Sequence, residues 1–172
     1  FENPALDVAI QAGKILGLPV VIYFGVISNY PNANLRHYHF LAQGLRDVEA
    51  DAAELGVGFV VRRTPHNHLD AFLEEVEVAL LVGDENPCRE PERWRKHLAS
   101  RLSIPFWTVD TDVIVPSKLI EKAQYGAYTI RPRINRLLPD FLHPYANPHA
   151  QYTWKRPRNL HADAVEEDIT RG

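Results

Sequence analysis

The chain has 172 residues, of which 45% are hydrophobic and 24% charged, with a formal net charge of −3. That length buries a full core without metals, and the single cysteine, Cys88, excludes an internal disulfide framework and fits a reducing interior. No apolar run approaches the roughly 20 residues of a membrane helix and no secretory leader is visible, so the expected location is the cytoplasm, or the nucleus in a eukaryote.

Asn3-Pro4 has the form of an N-cap followed by a first-turn proline, and Leu6, Ala9, Ile10 and Gly13 mark one helical face behind it. A parallel α/β domain normally opens on a strand, and the chain contains no Met. The expectation is therefore a trimmed N-terminus whose first strand is missing. Pro19 to Val26 is a short, nearly continuous apolar run, as in strands covered on both faces. A long helix follows from about Asn34 to Leu55, with Leu35, Tyr38, Leu41, Leu45, Val48, Ala52 and Leu55 in one stripe and Gly56 as its stop. Val57 to Arg62 reads as a second strand, Pro65 to Glu74 as a short helix and Val78 to Gly83 as a third strand. Pro91 to Leu102 reads as a helix with Trp94, Leu98 and Leu102 on one face, and Ile104 to Val109 as a fourth strand. Val113 to Val115 is a short additional strand in this reading. Ile134, Leu137, Leu138, Phe141 and Leu142 form a late amphipathic helix. Residues 143–172, with Pro144, Pro148 and Pro157, read as a linker.

Alternating strands and helices predict an α/β fold: a Rossmann-like, doubly wound parallel sheet with helices on both faces, over residues 1–142. Ligands in such sheets bind beyond the carboxyl ends of the strands. Here those ends are Phe24-Gly25-Val26, Arg63-Thr64-Pro65, Gly83-Asp84-Glu85-Asn86 and Asp110-Thr111-Asp112. The charge is uneven. Residues 1–116 carry 10 basic and 16 acidic side chains, residues 117–158 carry 8 and 2, and residues 159–172 carry 1 and 4. A basic stretch between acidic ones fits a polyanion, an acidic neighbouring domain, or a solvated arginine-rich helix.

Several chemistries lose their support. There is no Gly-x-Gly-x-x-Gly fingerprint, no Walker loop and no nucleophile elbow, so no catalytic residue is assigned. His37 and His39 stand two apart, as do His66 and His68; this spacing does not suit a shared metal, and no metal site is expected. Asp84, Glu85 and Asn86 serve equally as ligand-binding groups or as helix caps. Arg133 and Arg136 are spaced to share a helix face, and arginine forks suit phosphate or carboxylate.

The order of motifs resembles the N-terminal antenna domain of class II cyclobutane-pyrimidine-dimer DNA photolyases. The resemblance runs over about residues 3–142. It rests on Asn3-Pro4-Ala5-Leu6, Leu18-Pro19-Val20-Val21 and Leu35-Arg36-His37-Tyr38-His39-Phe40-Leu41 with Gly44-Leu45. It continues through Gly83-Asp84-Glu85-Asn86-Pro87 with Arg89 and Trp94-Arg95, Val109-Asp110 with Ile114-Val115-Pro116, and Tyr125 with Thr129-Ile130-Arg131-Pro132. The resemblance implies a light-dependent DNA repair lyase, a deoxyribodipyrimidine photo-lyase, of which this fragment alone is inactive. It implies FAD in a helical domain downstream, absent from this chain, and damaged DNA as the partner of the full-length protein. It also implies an antenna pigment, a deazaflavin or a folate, in this domain. Phe24, Gly25, Asp84, Glu85 and Asn86 are the expected antenna contacts, and Arg36 and Arg131 the expected interdomain or phosphate contacts. Two departures stand out: Tyr128 occupies a position where the family commonly has arginine, and Cys88 one where leucine is more usual. They leave open a photoreceptor-like relative without repair activity. A nucleotide-binding α/β module related by fold alone is the other reading.

Overall fold

The structure is a computed structural model describing residues 2–142, 144 and 146–165. Its elements are α1 (Pro4–Leu16), β1 (Val21–Val26), α2 (Leu35–Glu54), β2 (Gly58–Arg63), α3 (Leu69–Glu75), β3 (Leu81–Asp84), α4 (Arg89–Ala99), β4 (Phe106–Val109), a 3-10 turn (Ser117–Leu119) and α5 (Ala127–Phe141). The chain divides into two compact units, one of residues 9–78 with 148–172 and one of residues 1–8 with 79–147. The fold is α/β, and both strand pairs, β1–β2 and β3–β4, are parallel.

In the first unit, register and alternation together sort the side chains. Val21 pairs with Gly58 and Phe24 with Val61. Phe24, Val26, Phe59 and Val61 share one face and pack with Ala42 and Leu45 of α2. Val21, Tyr23 and Val60 share the opposite face and pack with Phe72 of α3 and with Leu160 and Trp154 of the tail. A strand pair covered on both faces must be apolar almost throughout, and that is the origin of the continuous run in β1.

The α2 boundaries follow from its caps. Asn34 Oδ1 accepts from the backbone N–H groups of Arg36 (3.1 Å) and His37 (3.4 Å), and the His37 ring answers the Asn34 N–H at 3.2 Å, closing a capping box. Gly56 leaves the helix in the left-handed region at φ 73°. The stripe is narrower than the periodicity predicts. Leu35 is 56% exposed because it stands in the first turn, while Ala42, Leu45 and Ala52 are buried.

Four expectations are corrected. The helix predicted from Pro65 begins at Leu69, because the preceding residues form a turn in which the His66 N–H donates to Arg63 O (2.7 Å) and Asn67 Nδ2 to Val26 O (2.7 Å). Val113 to Val115 is not a strand. Asp110 Oδ2 accepts from both Ser117 N and Ser117 Oγ at 3.1 Å and closes a turn around it, with Val115 buried and Ile114 exposed. The late helix starts at Ala127 rather than Ile134 and carries Pro132 and Pro139 within it. The α4 helix runs from Arg89, ends at Ala99 and buries no residue fully, so Trp94 stays 42% exposed.

The tail read as a linker has its own packing where it is described. The Ala150 N–H donates to Leu55 O (2.8 Å), Leu160 is buried with Val60 and Phe72, and Asp163 forms an antiparallel bridge with Val61. Trp154 packs against Gly58, where a Cβ would come within 2.7 Å of the indole Cδ2. That close approach requires glycine. Residues 143, 145 and 166–172 lie outside the described residues.

Candidate functional site

A groove of about 450 Å3 opens at the carboxyl end of β1, in the first unit. Phe24, Gly25 and Ile27 line it from the strand end, Tyr30 to Ala33 from the following loop, and His37, Tyr38 and Leu41 from α2. Its volume lies within the range of small-molecule sites, and its walls are mainly apolar and aromatic with a few polar groups.

Each wall has a local cause. Gly25 is required because a Cβ there would meet Asn67 O at 2.9 Å. Tyr30 to Ala33 is a turn closed by Ala33 N–H to Tyr30 O (3.0 Å), with Asn32 in the left-handed region at φ 63°, a conformation that asparagine tolerates. The Tyr38 hydroxyl lies 2.8 Å from both Ile27 O and Ser28 O and accepts from the Tyr30 N–H at 3.2 Å. The capping box fixes the His37 ring. Nδ1 lies 3.2 Å from the Asn34 N and 2.9 Å from Asn34 Oδ1, so the cap offers this nitrogen both a donor and an acceptor.

Phe24 and Gly25 lie in this groove. Asp84, Glu85 and Asn86 belong to the second unit and have local partners there. Asp84 Oδ1 accepts from Thr111 Oγ1 (3.1 Å), and Glu85 Oε2 pairs with Lys118 Nζ (2.9 Å). Asn86 Oδ1 accepts from Cys88 N (2.9 Å) and Asn86 O from Arg95 Nη1 (2.6 Å). These residues make up the carboxyl end of the β3–β4 pair. Arg36 stands exposed in the first turn of α2, and Arg131 exposed on α5 with Arg133 and Arg136. Sequence reasoning missed Tyr30, Pro31, Asn32 and Ala33. A Pro-Asn turn in the loop between β1 and α2 was the available signal.

Sequence reasoning also missed Arg62. Only 2% exposed, it donates Nε to His161 O (3.0 Å) and both terminal nitrogens to Glu75 (2.9 and 2.6 Å), and it lies 5.2 Å from the Phe72 ring centroid. That pairing holds the Glu75 carboxyl below its ordinary range, the hydrogen bond from Arg62 being the main cause. Tyr23 stacks on Phe72 at 4.5 Å, and burial raises its phenol to about 12. Arg62 and its partners tie β2, α3 and the tail together, a structural role. Among the described residues no group of three or more His, Cys, Asp or Glu side chains is placed to hold a metal, and no helix is long and apolar enough to cross a membrane.

The DNA photolyase family model matches residues 1–149. Curated relatives are deoxyribodipyrimidine photo-lyases from three distant organisms. The one from Methanothermobacter thermautotrophicus is 37% identical over 144 residues, covering 83% of this chain and 32% of the relative. Those from Potorous tridactylus (32% over 142 residues; 76% and 27%) and Arabidopsis thaliana (30% over 145 residues; 82% and 29%) are similarly placed. The chain thus spans about a third or less of the length of these relatives. With parallel βα units and a match over most of its residues, this chain belongs to the DNA photolyase family.

Proposed function

We propose that this chain is the antenna and scaffold part of a class II photolyase that splits cyclobutane pyrimidine dimers in damaged DNA with light. The observation that carries this reading is the family match over residues 1–149, joined to an aromatic-walled groove at a strand's carboxyl end. Residues 1–142 are the antenna domain in this reading, and 143–172 lead to a helical FAD domain downstream.

The groove suits a flat conjugated ring of the deazaflavin or folate kind. Phe24, Tyr30, Tyr38 and Leu41 offer apolar and aromatic faces, and Gly25 lets the backbone come close. When bound, such a pigment would absorb light and pass the excitation to the flavin of the repair domain. Asp84, Glu85 and Asn86 remain proposed antenna contacts, and Arg36 and Arg131 proposed interdomain or phosphate contacts through their guanidinium forks. The compartment is the cytoplasm, or the nucleus in a eukaryote.

The test is an absorption and fluorescence spectrum of the longest product of the gene, with blue-light reversal of cyclobutane dimers in an ultraviolet-irradiated oligonucleotide. Flavin bands with light-dependent reversal are expected. A colourless product that flavin fails to reconstitute would overturn the reading. Tyr128, exposed where the family commonly has arginine, favours one second reading, a light-sensing relative. Flavin photoreduction without dimer reversal would identify it.

A further inference from the structure

We propose that Tyr38 is a positioning residue for the antenna groove: its hydroxyl pre-forms the 27–30 wall against which a planar heteroaromatic ligand stacks. The inference rests on the reading of the groove as the antenna site.

The hydroxyl reaches across from α2 to a loop eight to eleven residues earlier in the chain. Its single proton is shared between Ile27 O and Ser28 O, both at 2.8 Å, and its lone pair takes the Tyr30 N–H at 3.2 Å. Three backbone groups of one short loop are therefore satisfied by one side-chain atom. Ile27 and Tyr30, at either end of that stretch, both line the groove. The Tyr38 ring packs against the Val26, Ala42, Leu45 and Val61 cluster, so the hydroxyl is held by the core and not by the loop it orders. Further contacts of this stretch lie on either side of that hydroxyl. Asn67 holds Val26 O at 2.7 Å, the Ala33–Tyr30 turn closes the far side, and Ser28 Oγ meets Thr64 Oγ1 only at 3.4 Å. Without the hydroxyl, Ile27 O, Ser28 O and the Tyr30 N–H lose the one side-chain atom they share.

A ligand entering a pre-formed wall is spared the entropy of ordering it. Removing the hydroxyl while keeping the ring shifts that ordering into the binding step. The loss therefore falls on affinity and leaves global stability nearly unchanged, because the loop is exposed and contributes little to the core.

The experiment uses the full-length gene product, wild type and Tyr38→Phe, with 5-deazariboflavin as the probe. Probe fluorescence is titrated, and thermal melting is recorded in parallel. Wild-type binding with a loss of about 10- to 100-fold in Tyr38→Phe, at a melting temperature within a few degrees of wild type, is the expected result. Equal affinity of the two proteins would overturn the positioning role and leave the groove reading standing. No binding of the probe by wild type, with the flavin domain loaded, would overturn both. One reading needs no variant: amide exchange at Tyr30 in the wild-type protein. Protection of that amide before ligand is added is expected, and exchange at the rate of an open loop would overturn the inference even if Tyr38→Phe fails to fold.

Discussion

The Tyr23 hydroxyl is buried and finds no hydrogen-bond partner among the described residues. Burial favours the neutral phenol and raises it from the ordinary 10.0 to about 12. Between those values the folded chain holds a proton that the unfolded chain has lost. Stability from this group is therefore intact below pH 10 and falls as pH rises toward about 12. Tyr23→Phe keeps the stack on Phe72 and removes the orphan oxygen. Urea unfolding should show it unchanged or up to about 1 kcal/mol more stable at pH 7, with a smaller loss at pH 11. Glu75 has the opposite sign. Its carboxyl is held below the ordinary 4.5 by Arg62, so its contribution is complete above that value and is lost as pH falls below it. Glu75→Gln leaves a buried guanidinium with a neutral partner. The expected loss is about 1–2 kcal/mol near neutral pH, limited because Glu75 is 44% exposed and solvent screens the pair. The acid limb of the stability curve should flatten at the same time. Phe24 and Gly25 could be named from their place at a strand end alone. The Arg62–Glu75 pair had no such cue, because an arginine closing a strand gives no sign in sequence of being 2% exposed.

Among the elements, α2 shows local chemistry most directly. Its start is set by Asn34, whose side chain takes two backbone N–H groups, and Asn34→Ala should lower stability by about 1 kcal/mol in thermal melts. Gly44 lies inside the same helix on its exposed side, and a Cβ there would meet nothing within 4 Å. Gly44→Ala should therefore stabilise the protein by about 0.5–1 kcal/mol, since the glycine contributes only backbone freedom to the unfolded chain. A loss of stability would mean that something covers this face. The beginning and end of α2 were legible because caps act within three or four residues. The start of α3 was not, because Pro65 resembles a first-turn proline while Asn67 is committed to Val26, 41 residues away.

In the whole molecule, the tail marks where sequence reading stops. Leu160 is buried on the face of β2 that also carries Val60, and Leu160→Ala should cost about 2–5 kcal/mol. Truncation after residue 147 removes Leu160, Trp154 and the Asp163 bridge together, and should lower the melting temperature by more than that single change. Proline and scattered polar residues carry no period, so composition gives no sign of these tail contacts. Local patterns carried the α/β alternation, the parallel pairing, the approximate bounds of α2, and the set of strand ends among which the groove lies. Each of these depends on patterns within one turn or one strand. Long-range packing set the rest: Arg62 buried against a half-exposed Glu75, the Tyr38 hydroxyl on the 27–30 loop, and the tail's place beside β2. Arg63 and Asp163 meet across 100 residues of chain, and no periodicity records contacts at that separation. Only the folding of the chain brings such groups within hydrogen-bond reach.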